Sequence, residues 1–226
     1  MTRTTTWKYY DIVAVLFVAA LLTANIIAVK LVSLGGLILP AAVIIFPISY
    51  IFGDVLTEVY GYRLARRVIW LGFGANLLMV IAIWIGGLLP AAPFWSDQPA
   101  YDAILGFTPR LLIASFIAYL AGEFLNSFVL AKMKVATNGR WLWSRTIGST
   151  LVGQLADSGI FISLAFTGII PGGQLLRLIV TQWLFKSTYE ALATPFTYWV
   201  VNALKRAEGV DVYDRDTDFN PLKLGV

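Results

Sequence analysis

The 226-residue sequence contains no cysteine and no histidine, and only 13% of its residues are charged. Without cysteine there are no disulfides and no thiol nucleophiles, and without histidine the usual zinc and haem sites are excluded as well. A serine nucleophile activated by a histidine base is also excluded. From these absences we expect no cofactor and no metal site. We also expect a function other than catalysis, although carboxylate chemistry is not excluded by them.

Apolar residues are abundant instead: they make up 58% of the chain, and the mean hydropathy is +0.76. Such a chain is too apolar for a soluble protein and too long for a single anchor, which predicts a polytopic membrane protein. The first apolar stretch is too long for a signal-peptide core and is expected to be retained. The six predicted spans cover about residues 9–29, 37–60, 68–89, 108–131, 146–170 and 175–204.

The predicted fold is therefore an all-α bundle of six transmembrane helices. We expect residues 1–206 to form a single domain and residues 207–226 to form a polar, partly disordered cytoplasmic tail. Most of the 17 lysines and arginines fall at one side of the six spans. Because cytoplasmic loops carry the excess of lysine and arginine, both termini are predicted to be cytoplasmic.

The two halves of this topology run in opposite senses, which permits a 3+3 inverted repeat that matches Asp54 with Asp157. The net charge of +4 resides mainly in the short connections between spans. No basic surface remains for nucleic acid, so the expected surroundings are lipid and a small molecule. A homo-oligomer is compatible with this pattern.

A polar column lies inside the second span. Tyr50, Asp54 and Glu58 are four residues apart, so on a helix they share one face. An aspartate in contact with lipid costs about 2.5–3.5 kcal/mol, so this face is expected to point toward a partner helix or a binding site. Asp54 is the first candidate for substrate binding, with an interhelical clamp as the alternative. For Glu58, which is nearer the arginines, both roles are open.

Further ionisable side chains lie in the later spans. Glu123, Asp157 and Glu190 join the two carboxylates of the second span, against one lysine, Lys186. Lys186 has two candidate partners, Glu190 one turn away and Asp157 on the preceding span. The remaining negative charge requires protonation, water, a cation or a ligand that donates hydrogen bonds.

Amide side chains add to this polar lining. Asn25, Asn126, Gln154 and Gln182 lie in four different spans. Together with the carboxylates they match a flat ligand with adjacent N–H donors, and Tyr50 is placed to stack on its ring.

The second span also carries a specific motif, FPISYIFGDVLTEVYG at residues 46–61, followed by LARR at 64–67. With LADSGIF at 155–161 and FKSTYEALATP at 185–195, it resembles the queuosine-precursor transporter family, also described as vitamin-uptake transporters. The resemblance covers roughly residues 10–206.

This resemblance implies a multi-pass protein of the cytoplasmic (inner) membrane that imports queuosine precursors for tRNA modification. The substrates would be 7-deazaguanines such as 7-cyano-7-deazaguanine and 7-aminomethyl-7-deazaguanine. The site residues that it implies are Asn25, Asp54, Glu58, Asp157, Lys186 and Glu190.

Two other functions are weighed against this one. The substrate-binding subunit of an energy-coupling-factor vitamin importer would present a small-residue face, here Ala20, Ala24 and Ala28, to its partner. An intramembrane aspartyl protease would use Asp54 and Asp157, but its Gly-x-Gly-Asp pattern is missing before Asp54.

Overall fold

The computed structural model describes residues 7–34, 37–106 and 109–223, and most of them are helical. A turn of π-helix, Leu56–Tyr60, directly continues the helix over Phe46–Val55. The helices are α1 (Tyr10–Ile27), α2 (Phe46–Val55), α3 (Tyr62–Leu88), α4 (Gln98–Leu105), α5 (Pro109–Ala136), α6 (Leu142–Phe166) and α7 (Gly172–Glu208).

A small β-hairpin interrupts the predicted all-α pattern. Strands β1 (Leu31–Leu34) and β2 (Leu37–Pro40) pair antiparallel, and a 3-10 turn follows over Ala41–Ile44. The second span was predicted to start near Leu37, which is wrong: its helix starts at Phe46. Pro40 has no N–H to donate within a helix, whereas Pro47 in the first turn of α2 removes no helical hydrogen bond.

The predicted basic loop over residues 61–67 is also replaced by helix. Gly61 alone separates the π-helical turn from α3, so Arg63 and Arg66 lie in the first turns of α3. Gly61 has φ +85°, and a Cβ there would lie 2.8 Å from a methyl carbon of Val212. Only glycine fits both the backbone conformation and the space, so the sharp connection between the two helices depends on it.

Within the part of the chain that the structure describes, four stretches are long and apolar enough to cross a membrane: Tyr10–Ile27, Tyr62–Leu88, Gln98–Ala136 and Leu142–Phe166. They identify the chain as a multi-pass membrane protein. The helix over Phe46–Tyr60 is short, and α7 is long but more polar. The count of six spans and the inverted repeat stay predictions.

The helix over Phe46–Tyr60 lies at the centre of the bundle, where α2 contacts α1, α5 and α7. Its fully buried Val55 and Val59 pack in one apolar core with Phe17 and Val68. On the other side, α5 and α6 approach at glycines: a Cβ on Gly153 would lie 2.9 Å from the carbonyl oxygen of Gly122. This close approach is typical of helices that pack through small residues in membranes.

Residues 210–223, expected to be partly disordered, pack across one end of the bundle. Asp214 accepts a hydrogen bond of 3.0 Å from the backbone N–H of Tyr62, at the first turn of α3. Arg66, buried in α3, donates to the carbonyl oxygens of Asp218 and Asn220 at 2.9 and 2.7 Å. The tail thus satisfies backbone and side-chain donors that the helices themselves leave open.

The orientation of the bundle can be tested with reporter fusions. Because most cations lie on one side, fusions after Arg67, Arg140 and the described tail are expected to report a cytoplasmic location. Fusions after Trp95 and Gly172 are expected to report an external one. A pair of alkaline phosphatase and fluorescent protein reporters gives opposite signals at each site, and a cytoplasmic signal at Trp95 would contradict the six-span topology.

Candidate functional site

A layer of buried polar side chains crosses the middle of the bundle between α2, α5, α6 and α7. We call it the central polar layer. Each member belongs to a helix that is otherwise largely apolar, and each is at least nine-tenths buried. The members are Tyr50, Asp54, Glu123, Asn126, Gln154, Ser158, Ser187 and Glu190.

Asp54 joins α2 to α5 in this layer. Its Oδ1 accepts a hydrogen bond of 2.8 Å from the Asn126 amide, and only 1% of Asp54 is exposed. One turn further, the Thr57 hydroxyl lies 3.1 Å from the Ser127 hydroxyl. The predicted orientation of Asp54 toward another helix is thus observed, while a role in substrate binding stays a prediction.

In the same layer, Glu190 joins α7 to α6. It accepts a hydrogen bond of 2.6 Å from the Thr150 hydroxyl. Lys186, one turn earlier, donates to Asp157 at 2.6 Å, and its ammonium lies 4.4 Å from the centre of the Phe46 ring. Of the two partners considered for Lys186, the structure therefore gives Asp157.

Six buried atoms of the layer have no hydrogen-bond partner within the described residues. A buried polar atom without a partner costs about 1–3 kcal/mol, so a set of them in one layer indicates water or a ligand. The atoms are Glu123 Oε2, Asn126 Oδ1, Gln154 Oε1, Ser158 Oγ, Ser187 Oγ and Glu190 Oε2.

The layer is tightly packed in this conformation. A Cβ on Gly53 would lie 3.1 Å from Glu123 Oε2, and a Cβ on Gly122 would lie 3.2 Å from the Tyr50 hydroxyl. The Tyr50 ring also packs against Phe46, with ring centres 5.1 Å apart. A ligand that pairs with the free oxygens therefore requires the helices to separate.

Two of the predicted site residues lie beside the layer. Asn25 on α1 donates a hydrogen bond of 3.0 Å to Asn76 on α3, so it pairs with an amide that was not among the candidates. Gln182 is half-buried on α7, one turn before Lys186. Neither side chain contacts the carboxylates of the layer in this conformation.

Glu58 belongs to a separate group of charges, which we call the ion cluster: Glu58, Lys134, Arg145, Lys205 and Asp211. Both carboxylate oxygens of Glu58 accept hydrogen bonds from the Arg145 guanidinium, at 2.7 and 2.9 Å. Lys205 Nζ lies 2.6 Å and Lys134 Nζ 3.4 Å from Glu58 Oε1. Glu58 is fully buried, so these contacts neutralise a charge that is shielded from water.

Asp211, in the tail, completes the ion cluster by bridging Lys134 and Lys205 at 2.7 Å each. Partial burial raises the pKa of Asp211, but hydrogen bonds from Lys134 and Lys205 outweigh it and leave that pKa below its ordinary value. A carboxylate with a lowered pKa stabilises the fold at neutral pH and loses that contribution as the pH falls through the lowered pKa.

The cations of this cluster were predicted only as loop charges that set the orientation. In the structure, Lys134 lies in the last turns of α5, Arg145 in the first turn of α6 and Lys205 near the end of α7. A carboxylate near the same end of a span, Glu58, was the available signal for such partners. The proposed small-residue face of α1 is also occupied, because Ala20 and Ala24 are buried within the bundle.

Comparison with known proteins points to transport. The family model described as "Putative vitamin uptake transporter" matches residues 40–200. A Bacillus subtilis protein named "Probable queuosine precursor transporter" is 34% identical over 182 residues, which cover 79% of this chain and 79% of that protein.

Two further relatives are more distant. The "Queuosine precursor transporter" of Escherichia coli is 27% identical over 54% of this chain and 52% of its own length. A Haemophilus influenzae protein named "Probable queuosine precursor transporter" is 27% identical over 54% of this chain and 49% of its own length. No solved structure matches the chain significantly.

Proposed function

We propose a transport function because this chain belongs to the queuosine-precursor transporter family. The vitamin-uptake transporter model over residues 40–200 and the 34% identical relative from Bacillus subtilis both support this membership. The protein imports 7-deazaguanines, such as 7-cyano-7-deazaguanine and 7-aminomethyl-7-deazaguanine, across the inner membrane for tRNA modification. The relatives are named as transporters, in agreement with the prediction that the chain is not an enzyme.

The chemistry of the unpartnered atoms supports this substrate class. Glu123 Oε2, Asn126 Oδ1, Gln154 Oε1 and Glu190 Oε2 are oxygens that accept hydrogen bonds when the carboxyl groups are ionised. A set of acceptors requires a ligand with several donors. A 7-deazaguanine offers an amide N–H, an exocyclic amine and the pyrrole N–H, all in one plane, so it supplies the donors that the layer lacks.

The proposed binding site is the central polar layer together with the Lys186–Asp157 pair. Asp54 would accept two adjacent N–H groups of the substrate, and the Tyr50 ring would stack on its plane. Asn25 and Gln182 would reach the substrate only in a more open conformation. Glu58 would hold one end of the bundle closed through the ion cluster instead of contacting the substrate.

Two further features belong to this proposal. The bundle lies in lipid, and the exposed apolar side chains of α3, such as Leu78 and Trp84, face it. A homo-oligomer is compatible with these exposed faces. The importer-subunit alternative loses support, because Ala20 and Ala24 pack within the chain and are not free for a partner.

Uptake in whole cells tests the proposed function. Bacteria that cannot synthesise 7-deazaguanines and lack their own transporter are expected to recover queuosine in tRNA when they express this chain and receive 7-cyano-7-deazaguanine. The readout is the queuosine content of isolated tRNA. Expression at the membrane without any queuosine would contradict the assignment.

Lys186→Met provides a residue-level prediction in the same assay. The change leaves Asp157 without its partner at 2.6 Å. Because the Lys186 side chain is 22% and the Asp157 side chain 13% exposed, solvent screens part of the loss. We expect uptake to fall roughly tenfold, since a tenfold change in rate corresponds to about 1.4 kcal/mol.

Arg177→Met is the matched control, because it removes an exposed cation from the same helix. It is expected to retain uptake. Normal uptake by Lys186→Met at equal expression would exclude the ion pair from the mechanism.

A further inference from the structure

The carboxyl groups of the central polar layer outnumber the cations that reach them. We propose that Asp54, Glu123 and Glu190 form a proton-binding site, and that binding of the substrate releases about one proton, held by Glu123. This inference rests on the proposed function, because it takes a 7-deazaguanine as the ligand that displaces the proton.

The first step is the charge count. Asp54, Glu123 and Glu190 are each at least 96% buried, with exposed fractions of 1%, 2% and 4%. Within the described residues, the ion pairs of Lys186 and of the ion cluster go to other carboxylates, and none reaches these three. A buried carboxylate without a cation is strongly destabilised, so the closed layer must hold protons.

The second step asks which carboxyl group has the least support for its charge. Asp54 accepts from the Asn126 amide, and Glu190 accepts from the Thr150 hydroxyl. Glu190 Oε2 also lacks a partner, but Glu123 accepts no hydrogen bond at either carboxyl oxygen within the described residues. Each missing donor removes stabilisation of the ionised form, so Glu123 is the group that most favours the proton.

The surroundings of Glu123 strengthen this assignment. Asp54 on α2 and Asp157 on α6 are close enough to repel a charge on Glu123, and Glu190 on α7 also interacts with it. Tyr50 on α2 is another titratable group that interacts with Glu123. The Tyr119 hydroxyl on α5 donates to the carbonyl oxygen of Ile69 on α3, so it is already used. The remaining cation, Lys186, contacts Asp157.

Substrate binding changes this balance. A protonated Glu123 presents one donor and one acceptor, which mismatches the adjacent amide N–H and exocyclic amine of a 7-deazaguanine, because both of these groups are donors. When the helices separate and water enters, the O–H bond of Glu123 breaks and its proton passes to solvent. The carboxylate then accepts a hydrogen bond from the ligand N–H, so one proton leaves for each substrate bound.

Isothermal titration calorimetry of the purified full chain in detergent tests this exchange, with 7-cyano-7-deazaguanine as the probe. At one pH near neutral, titrations in phosphate and in Tris are expected to differ in enthalpy by the heat of about one proton taken up by the buffer. The affinity is expected to rise roughly tenfold for each unit of pH while one proton is released.

Glu123→Gln keeps the size of the side chain but cannot hold the proton. It is expected to bind with equal enthalpy in both buffers and with an affinity that no longer depends on pH. Asp97→Asn, which removes an exposed carboxylate outside the layer, is the matched control. It is expected to release the same number of protons on binding as the wild-type protein.

The possible outcomes separate the two proposals. Binding with the same enthalpy in both buffers overturns the proton site and leaves the proposed transport function standing. Release of the same number of protons by Glu123→Gln overturns the assignment to Glu123. Absence of binding to the folded unchanged chain overturns both. The comparison of buffers needs no variant, so it holds even where Glu123→Gln fails to fold.

Discussion

Replacing Glu58 with glutamine is expected to lower the free energy of unfolding by about 3–5 kcal/mol, the range for breaking a buried ion pair by removing one partner. Glutamine is similar in size but neutral, so Arg145 and Lys134, both buried, would lose the negative charge that they surround. Glu58 is fully buried, so solvent at this position does little to screen the two cations. Chemical denaturation in mixed micelles, followed by tryptophan fluorescence, measures the loss.

Asp211→Asn is the control for this experiment, because it removes a negative charge from the same ion cluster at a more exposed position. The Asp211 side chain is 43% exposed, so solvent screens its contacts and the expected loss is below about 1 kcal/mol. An equal loss of stability in the two variants would contradict the idea that burial makes the ion pairs of Glu58 more stabilising than those of Asp211. Ligand affinity is expected to survive in both variants when they are folded.

Asp54→Asn is expected to weaken substrate binding by roughly 2–4 kcal/mol, on the order of a hundredfold. The structure gives this change a defined geometry. The oxygen of the new amide can still accept the hydrogen bond from Asn126, now 2.8 Å long, which turns the new NH2 group toward the site. A ligand N–H would then meet another donor instead of an acceptor.

Measuring affinity and thermal stability on one preparation separates binding from a clamp role. Because the bond to Asn126 is kept, the melting temperature of Asp54→Asn in detergent is expected to stay close to that of the unchanged chain. The clamp hypothesis predicts the reverse, a lowered melting temperature with most of the affinity retained. That second result would exclude Asp54 from substrate binding. Ser96→Ala, a substitution in an exposed loop, is the control for differences in purification and assay between preparations.

The buried column of the second span was predictable because it depends on two local quantities. The spacing of four residues puts Tyr50 and Asp54 on one face of a helix. Because exposing a carboxylate to lipid is costly, this face is expected to point into the bundle. The same argument placed Glu123 and Glu190 in the interior, and both are buried. Family membership was predictable from the motif at residues 46–61 and is confirmed by the match over residues 40–200.

The partners of these side chains were not predictable, because they depend on distances between helices. Spacing along the chain cannot distinguish Asp157 from Glu190 as the partner of Lys186, since both are within reach of a long side chain. Glu58 shares its column with Asp54, yet its contacts come from Arg145 and Lys205, which are 87 and 147 residues away in the sequence. A periodic pattern carries no information about such pairs.

The helix boundaries failed for a related reason. Hydropathy alone extended the second span back to residue 37, because the strands of the hairpin are as apolar as the helix that follows. The start of the third span, predicted near Val68, was misplaced by the opposite effect: the arginines after Gly61 have the composition of a loop, but they lie in α3, which begins at Tyr62. The composition of a segment indicates how polar its surroundings are. It says less about whether the backbone of that segment forms a helix, a strand or a loop.

The tail that packs across the end of the bundle also sets an order of events during synthesis. Lys134 precedes its partner Asp211 by 77 residues, and at roughly 5–20 residues per second the ribosome needs about 4–15 s to make that interval. The interval is longer for Arg66, because the carbonyl groups that it contacts follow it by 152 and 154 residues. Until then Arg66 lacks these acceptors, and Lys134 has Glu58 but not Asp211 as a partner. This end of the protein therefore completes its contacts only after all its helices have been made.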